Sequence, residues 1–182
     1  MLVREPLTQE EADQPPVDLA KAKQALKIHH DDDDGLICSW LWAAVEMADA
    51  ALGRSLLPRH WVRRLDAFPG GRLLLMPDVQ SVVAVRYIDR DGVDQLVPPE
   101  NYSLIGQRVL EPLKSWPAGH SVRVGFIAAY CANSASVPDG IRNWLYVQAG
   151  TFDTTRQVIS DKPFYTTTYL DRLLDGHRYE SL

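Results

Sequence analysis

The feature that most constrains the fold is a change of hydrophobic period near residue 60, which reverses near residue 136. Outside these points, apolar residues recur every three or four positions, a spacing typical of amphipathic helices. Between them lie short β-prone runs separated by turn sequences rich in Pro, Gly and Asp. The sequence therefore predicts an α+β fold, with 17–58 and 136–182 packed as one helical bundle and 60–130 as an inserted β subdomain.

The bundle is predicted to contain two N-terminal helices and one or two C-terminal helices. Asp18 is suited to cap the first, which is short. The second is a long amphipathic helix over 36–52, whose wide apolar face indicates the central core helix and which should stop at Gly53. Pro138 fits the first turn of a third helix, and 167–174 predicts a last short one.

The inserted subdomain is predicted to be a compact antiparallel sheet or a small barrel. Its β-prone runs are 61–65, 72–75, 82–88, 95–97, 102–105 and 122–127. The pair Asp91-Gly92 lies between two of these runs and predicts a hairpin. Residues 1–16 hold several charged residues and three prolines, and they predict a flexible N-terminal arm that is loose or ordered by a partner.

Composition limits the class of protein. The chain has 182 residues, of which 46% are hydrophobic and 24% charged, so it can bury a core without disulfides or metals. The net charge of -5 argues against a general nucleic-acid binder, which usually has a clustered basic face. Cys38 and Cys131 are far apart in sequence, which suits small buried side chains in a reducing cytoplasm.

No targeting or membrane-spanning segment is expected. The N-terminus has no basic region followed by an apolar run. The most apolar stretch, 36–52, contains Glu46 and Asp49 and is shorter than the roughly 20 residues that a membrane span needs. A soluble intracellular protein is therefore expected.

The most unusual motif is the run of four aspartates at 31–34, followed by Gly35. Aligned with a calcium-binding loop through Gly35, the run places His30 and Leu41 at the first and last ligand positions, where neither fits. The run is better interpreted as a solvated cluster that complements the start of the long helix, with a weak cation or partner contact as the alternative.

No arrangement of residues predicts catalysis. The five histidines are not spaced to chelate a metal; they are His29, His30, His60, His120 and His177. The chain has neither a glycine-rich phosphate loop nor a nucleophile elbow. We therefore predict no catalytic residue, no metal ligand and no cofactor.

Two aromatic groups are candidates for contacts with other chains. Trp40 and Trp42 lie two positions apart, so on one helix they cannot share a face, and one of them should contact a second element or a neighbouring subunit. The segment 164–169 is polar and aromatic, and it predicts either an exposed docking strip or a local cap over the bundle.

A series of motifs occurs in the order seen in one known family. The segments are VDLAKAKQALKI at 17–28, HDDDDGLI at 30–37, GRSLLP at 53–58, LMPDVQSV at 75–82, VRYIDRDG at 85–92, SWP at 115–117, VRVGFIAAY at 122–130 and VPDGIR at 137–142. Together they resemble the head–tail connector proteins, also called adaptor or head-completion proteins, of long-tailed double-stranded DNA bacteriophages and prophages. The resemblance covers about residues 17–150.

This resemblance implies a structural, non-enzymatic role in the virion. Connector subunits of this kind form a ring, usually of twelve copies, that docks under the portal protein and extends the DNA channel. The ring presents a surface to the stopper or tail-completion protein, and DNA passes through it without sequence-specific binding. The chain would then lie at the head–tail junction of the virion, and in the host cytoplasm during assembly, without contacting a membrane.

A closed ring needs a head-to-tail interface, with different patches on the two sides of each subunit. Aromatic and large apolar residues favour interface cores. The candidate interface residues are Trp42, Trp116, Phe164, Tyr165, Tyr169, Leu170, Leu173, Leu174 and Tyr179. Two other functions remain open: a DNA-binding accessory module in genome packaging, and an unrecognised hydrolase or metal enzyme.

Overall fold

The structure, a computed structural model, describes residues 1–157 and 168–179. It has two compact units. The β unit comprises Met1–Pro6 and Pro58–Tyr130, and the helical unit comprises Leu7–Leu57 and Cys131–Leu182. The predicted α+β class is confirmed.

The helical unit is built around one long helix. Its helices are α1 (Gln9–Asp13), α2 (Leu19–Leu26), α3 (Asp34–Leu52), α4 (Asp139–Gln157) and α5 (Thr168–Asp175). Each of the other four helices contacts α3, and α5 also packs on α4. The buried face of α3 consists mostly of aliphatic side chains: Ile37, Cys38, Leu41, Ala44, Val45, Ala48, Asp49 and Leu52. The long helix is therefore the core element that its apolar pattern predicts.

The ends of α2 and α3 follow from local sequence. The Asp18 carboxylate accepts a hydrogen bond from the Lys21 backbone N–H at 3.1 Å, which satisfies one of the free donors at the start of α2. Gly53 ends α3 with a φ of 66°, a left-handed conformation that glycine adopts without steric cost. Both predicted caps are confirmed.

By length and composition alone, α3 could cross a membrane. It has 19 residues, and its most apolar 18-residue window is 44% buried inside the structure. The same properties are found in the core helix of a water-soluble protein. In the described part of the chain, contacts with four other helices make α3 the core helix of the helical unit.

The β unit contains two antiparallel sheets. The strands are β1 (Leu2–Arg4), β2 (Arg59–Ala67), β3 (Leu73–Leu74), β4 (Val79–Ile88), β5 (Asp94–Leu96), β6 (Tyr102–Ile105), β7 (Val109–Pro112) and β8 (His120–Ala128). The larger sheet has the order β1-β2-β8-β4-β5, and the smaller has the order β3-β7-β6. Both sheets are open among the described residues, so the sheet prediction is confirmed and the alternative of a small barrel is wrong.

Alternation along the strands builds the core of the β unit. In β8 the side chains of Val122, Val124, Phe126 and Ala128 are buried, whereas Arg123 between them is exposed. The buried face packs against side chains from the smaller sheet, among them Leu73 and Leu110. The β4–β5 hairpin turns through Gly92 at a φ of 81°, in agreement with the Asp91-Gly92 signal.

Two parts of the prediction differ from the structure. Residues 1–16, expected to form a loose arm, contain two elements. The strand β1 pairs with β2, and the N-terminus of α1 is capped by a reciprocal capping box between Thr8 and Glu11. The sequence pattern also did not indicate β7, a four-residue strand whose Leu110 is fully buried. Strands this short carry too little alternation to be recognised without their neighbours. The predicted flexibility of the arm stays a prediction.

Candidate interaction surface

The Trp42 side chain makes its hydrogen bond within its own chain. The indole is half-buried, and its Nε1–H donates a hydrogen bond to the Gln14 backbone carbonyl at 2.9 Å. On the same side of α3, the Cys38 thiol lies 3.4 Å from the Ala12 carbonyl. Trp42 therefore contacts a second element, the segment from α1 to α2. Trp40 is also half-buried, so neither tryptophan is fully enclosed.

Trp116 belongs to an aromatic cluster of the β unit. Its ring stacks on Phe68 with a centroid distance of 4.8 Å, and its Nε1–H donates to the Gly71 carbonyl at 2.7 Å. Tyr102 lies 6.3 Å from it, and Phe68 makes an edge contact with Tyr87 at 5.6 Å. Because these contacts satisfy both the ring face and the polar atom, the structure assigns Trp116 a packing role that its position in the sequence did not indicate.

The C-terminal candidates are divided between core and surface. Leu174 has no exposed surface, so it is a core residue of the helical unit. Its assignment as a candidate interface residue is corrected accordingly. Its neighbour Leu173 is 38% exposed. Tyr179 is half-buried: its backbone N–H donates to the Leu52 carbonyl at 2.8 Å, and the Arg54 guanidinium lies 5.3 Å from its ring centroid.

The remaining candidates have no described side chain. Phe164 and Tyr165 lie outside the described residues, and so does the 158–163 part of the predicted loop. Tyr169 and Leu170 fall within 168–171, the start of α5, of which the backbone alone is described. All four stay predictions.

The aspartate run joins α2 to the start of α3. Lys23 on α2 donates to Asp31 and, at 2.6 Å, to Asp34. These two hydrogen bonds, with that to Asp31 the stronger cause, raise the pKa of the Lys23 ammonium, and Lys23 in turn lowers the pKa of the Asp31 carboxyl. Asp33 occupies the N-cap of α3 but makes no side-chain cap hydrogen bond. The run therefore holds a local ion-pair network.

No metal or redox centre is apparent in the described ranges. Within residues 1–157 and 168–179, no group of three or more His, Cys, Asp or Glu side chains is placed to hold a metal ion. The side chains of Cys38 and Cys131 are both buried, and burial raises the pKa of the Cys38 thiol. Both features fit packing roles for the two cysteines.

A row of arginines crosses the outer face of the larger sheet. Arg64 on β2 pairs with Arg123 on β8, which pairs with Arg86 on β4, and all three side chains are exposed. Asp94 accepts from Arg86 at 3.0 Å and from Arg123 at 2.8 Å. The hydrogen bond from Arg86, which is the largest cause, and that from Arg123 lower the pKa of the Asp94 carboxyl. Sequence reasoning did not identify this arginine row, although each arginine stands at an outward position of an alternating strand.

Charge is distributed unequally between the units. The β unit carries ten basic and eight acidic residues, which gives a net charge of +2. The helical unit carries nine basic and 16 acidic residues, which gives a net charge of −7. The overall acidity of the chain therefore belongs to the helical unit. The described basic surface of the β unit includes the arginine row, in which one carboxylate already serves two of the three side chains.

Comparison with known proteins gives a likeness of fold. No protein-family model and no curated protein matches the chain. Among solved structures, the chain resembles chains of a gene transfer agent (GTA) particle. One is from the neck of the empty particle computed with C6 symmetry, at 19% identity and a TM-score of 0.75, and another is from the virion of the native particle, at 18% identity and a TM-score of 0.76. A third is from the neck of the native particle computed with C12 symmetry, at 21% identity and a TM-score of 0.73.

Each of these alignments covers 100% of this chain and 97% of the other. The likeness therefore includes the helical unit and the β unit together. The resemblance that the ordered motifs indicated is therefore matched, at the level of the fold, by chains from the neck and the virion of such a particle.

Proposed function

We propose that this chain is a structural subunit of the neck of a phage-like particle, a head–tail connector without enzymatic activity. The observation that carries the proposal is the full-length fold shared with neck and virion chains of the GTA particle. The ordered motifs of residues 17–150 support it independently, because they were identified from the sequence alone.

In this role the chain forms a ring that docks under the portal and extends the DNA channel. It also presents a surface to the stopper or tail. The C12 symmetry of one matched neck supports a ring of twelve copies. Leu173 is available at the surface for such contacts, and Phe164, Tyr165, Tyr169 and Leu170 remain proposed contact residues.

The charge distribution supports free passage of DNA. Strong non-specific binding of DNA requires Lys and Arg side chains that displace counterions from several phosphates. In the described β unit, two of the three arginines in the row are engaged by Asp94, and the helical unit is strongly acidic. A channel built from such subunits would repel DNA more than it binds it.

The decisive experiment mixes the purified chain with a portal protein from the same genome and examines the mixture by native mass spectrometry and electron microscopy. We expect a ring of this chain on the portal, with twelve copies. A monomer alone decides little, because the portal can act as the template. Persistent failure to bind this portal or to form any ring would contradict the proposal.

The arginine row favours one second candidate, a DNA-binding accessory module in packaging. This module would bind double-stranded DNA with an affinity that falls steeply as salt rises. A gel-shift assay at low salt separates the two functions. Absence of binding there removes the second candidate and leaves the connector unaffected.

A further inference from the structure

The side of α3 opposite its buried face is apolar. Leu36, Trp40, Ala43, Met47 and Ala50 follow one another at steps of four, three, four and three residues, which places them in a single line along the helix. We call these five residues the α3 stripe. Over 14 residue steps the line is about 21 Å long.

The α3 stripe is open in the described structure. Leu36 is 36% exposed and Met47 is 44% exposed, Ala50 is exposed, and Trp40 and Ala43 are half-buried. The four helices that contact α3 cover its other side. Solvent-facing positions of a surface helix are normally polar, whereas a helix that is apolar on all sides is normally enclosed on all sides. The sequence of α3 thus suits an environment that one subunit leaves incomplete.

We propose that the α3 stripe is the centre of the contact between neighbouring copies of this chain in the ring. The inference rests on the proposed function and specifies which surface forms the ring. Rotational symmetry, such as the C6 and C12 symmetry of the matched necks, places two copies of the same subunit beside each one. A second copy is therefore the partner that meets this surface in every subunit.

The composition of the surface agrees with that of a subunit interface. Trp40 and Met47 are residue types enriched in interface cores, and the exposed polar residues Ser39 and Glu46 lie along one edge as a rim. A stable contact buries about 800 Å² on each partner, more than one line of five side chains provides. The α3 stripe would therefore associate weakly in free subunits and firmly once a template aligns them.

Photo-crosslinking tests the contact without disturbing the fold. A benzoylphenylalanine is incorporated in place of Met47, and in a control variant in place of Val93, which is 52% exposed in the turn after β4. Chains of two isotopic compositions are mixed, alone at high concentration and with the portal, so that crosslinks between copies carry a mixed mass. We expect position 47 to crosslink to a surface of the neighbour other than α3, and position 93 to give few such products.

Three results would overturn the inference. Position 47 could crosslink within its own chain, for example to 158–167, which would mean that a segment of the same subunit covers the stripe. It could crosslink to α3 of the second copy, which would indicate a two-fold dimer. It could also give no product between copies in either mixture.

Substitution provides the second measurement. Met47→Glu places a charge in the proposed contact and should weaken association between copies about tenfold or more, while Val93→Glu should leave it unchanged. Circular dichroism checks that both variants keep their helix content. Rings on the portal that persist in Met47→Glu would count against the α3 stripe but not against the connector role. Crosslinks from position 47 between copies, without any binding to the portal, would count against the connector role but not against the α3 stripe.

Discussion

At the scale of single residues, the clearest steric constraint is at Gly119, just before β8. A Cβ atom at this position would lie 2.4 Å from Cδ2 of Tyr87 and 2.5 Å from the Ile88 carbonyl oxygen, and that backbone atom cannot move aside easily. Gly119→Ala should therefore lower the free energy of unfolding by about 1–3 kcal/mol. Urea denaturation measures the change.

Gly70 supplies the matched control. No atom lies within 4 Å of a Cβ built there, so Gly70→Ala should be neutral or slightly stabilising. Equal losses for the two variants would show that the approach at Gly119 does not limit the fold. The sequence predicts a turn at Pro117-Ala118-Gly119, but not the tight contact, because Tyr87 lies on another strand.

A second residue-scale prediction concerns Asp89 in the β4–β5 hairpin. Its carboxylate accepts from the backbone N–H groups of Val93 and Asp91, both at 2.9 Å, and from the Gln95 side chain at 2.8 Å. The bond from Val93 is the largest cause that lowers its pKa, followed by that from Gln95. The hairpin therefore gains stability above the ordinary Asp pKa and loses it as the pH falls through the depressed folded value.

NMR titration of the Asp89 carboxyl carbon measures this directly. The midpoint should lie below the ordinary Asp value of about 3.9. Gln95→Ala removes one hydrogen bond, so it should raise the pKa part of the way. An unchanged midpoint in the variant would indicate that the backbone bonds alone hold the charge.

At the scale of elements, hydrophobic period predicted the long segments and missed three short ones, β1, α1 and β7. The pattern of α3 spans five turns, and β2, β4 and β8 are nine or ten residues long, which is long enough to be recognised. In contrast, β1 has three residues and pairs with the longer β2, and β7 has four residues and pairs with the short strands β3 and β6. The exposed side of α3 could not be predicted either, since its residues are as apolar as those of the buried side.

The end of the chain gives an element-scale prediction. Leu174 anchors α5 in the helical unit, and Tyr179 ties the following residues to the end of α3. A chain that ends at residue 167 should lose several kcal/mol of stability, because the site of one large buried side chain is emptied. Its Tm should fall by about 6 °C or more.

A chain that ends at Asp175 keeps α5 and serves as the comparison. It loses the Tyr179 hydrogen bond and its contact with Arg54, together about 1–2 kcal/mol, so its Tm should fall by only a few degrees. Thermal denaturation followed by circular dichroism distinguishes the two chains. Identical melting curves would show that α5 contributes nothing to the core, as expected of an exposed docking strip.

At the scale of the whole molecule, the net charge of -5 conceals two units of opposite sign. The sequence supplies the total, but the division depends on which segments fold together. The basic excess of the β unit is small, and its arginine row is partly neutralised by Asp94. The salt dependence of DNA binding therefore discriminates between a connector and a packaging module better than affinity at one salt concentration.

The logarithm of the affinity for duplex DNA falls with the logarithm of salt concentration with a slope of about −0.9 per phosphate contacted. If the arginine row is the contact surface, at most three phosphates are engaged, and the slope should not be steeper than about −2.7. Arg64→Ala removes the arginine that Asp94 does not hold in the described structure, and it should reduce the slope by about 0.9. Fluorescence anisotropy with a short duplex between 20 and 200 mM salt, roughly the range over which phosphate contacts are lost, measures both values. A slope near −6 would require more than twice as many cationic contacts as the arginine row offers, and the chain would then bind DNA actively, contrary to a connector through which DNA slides.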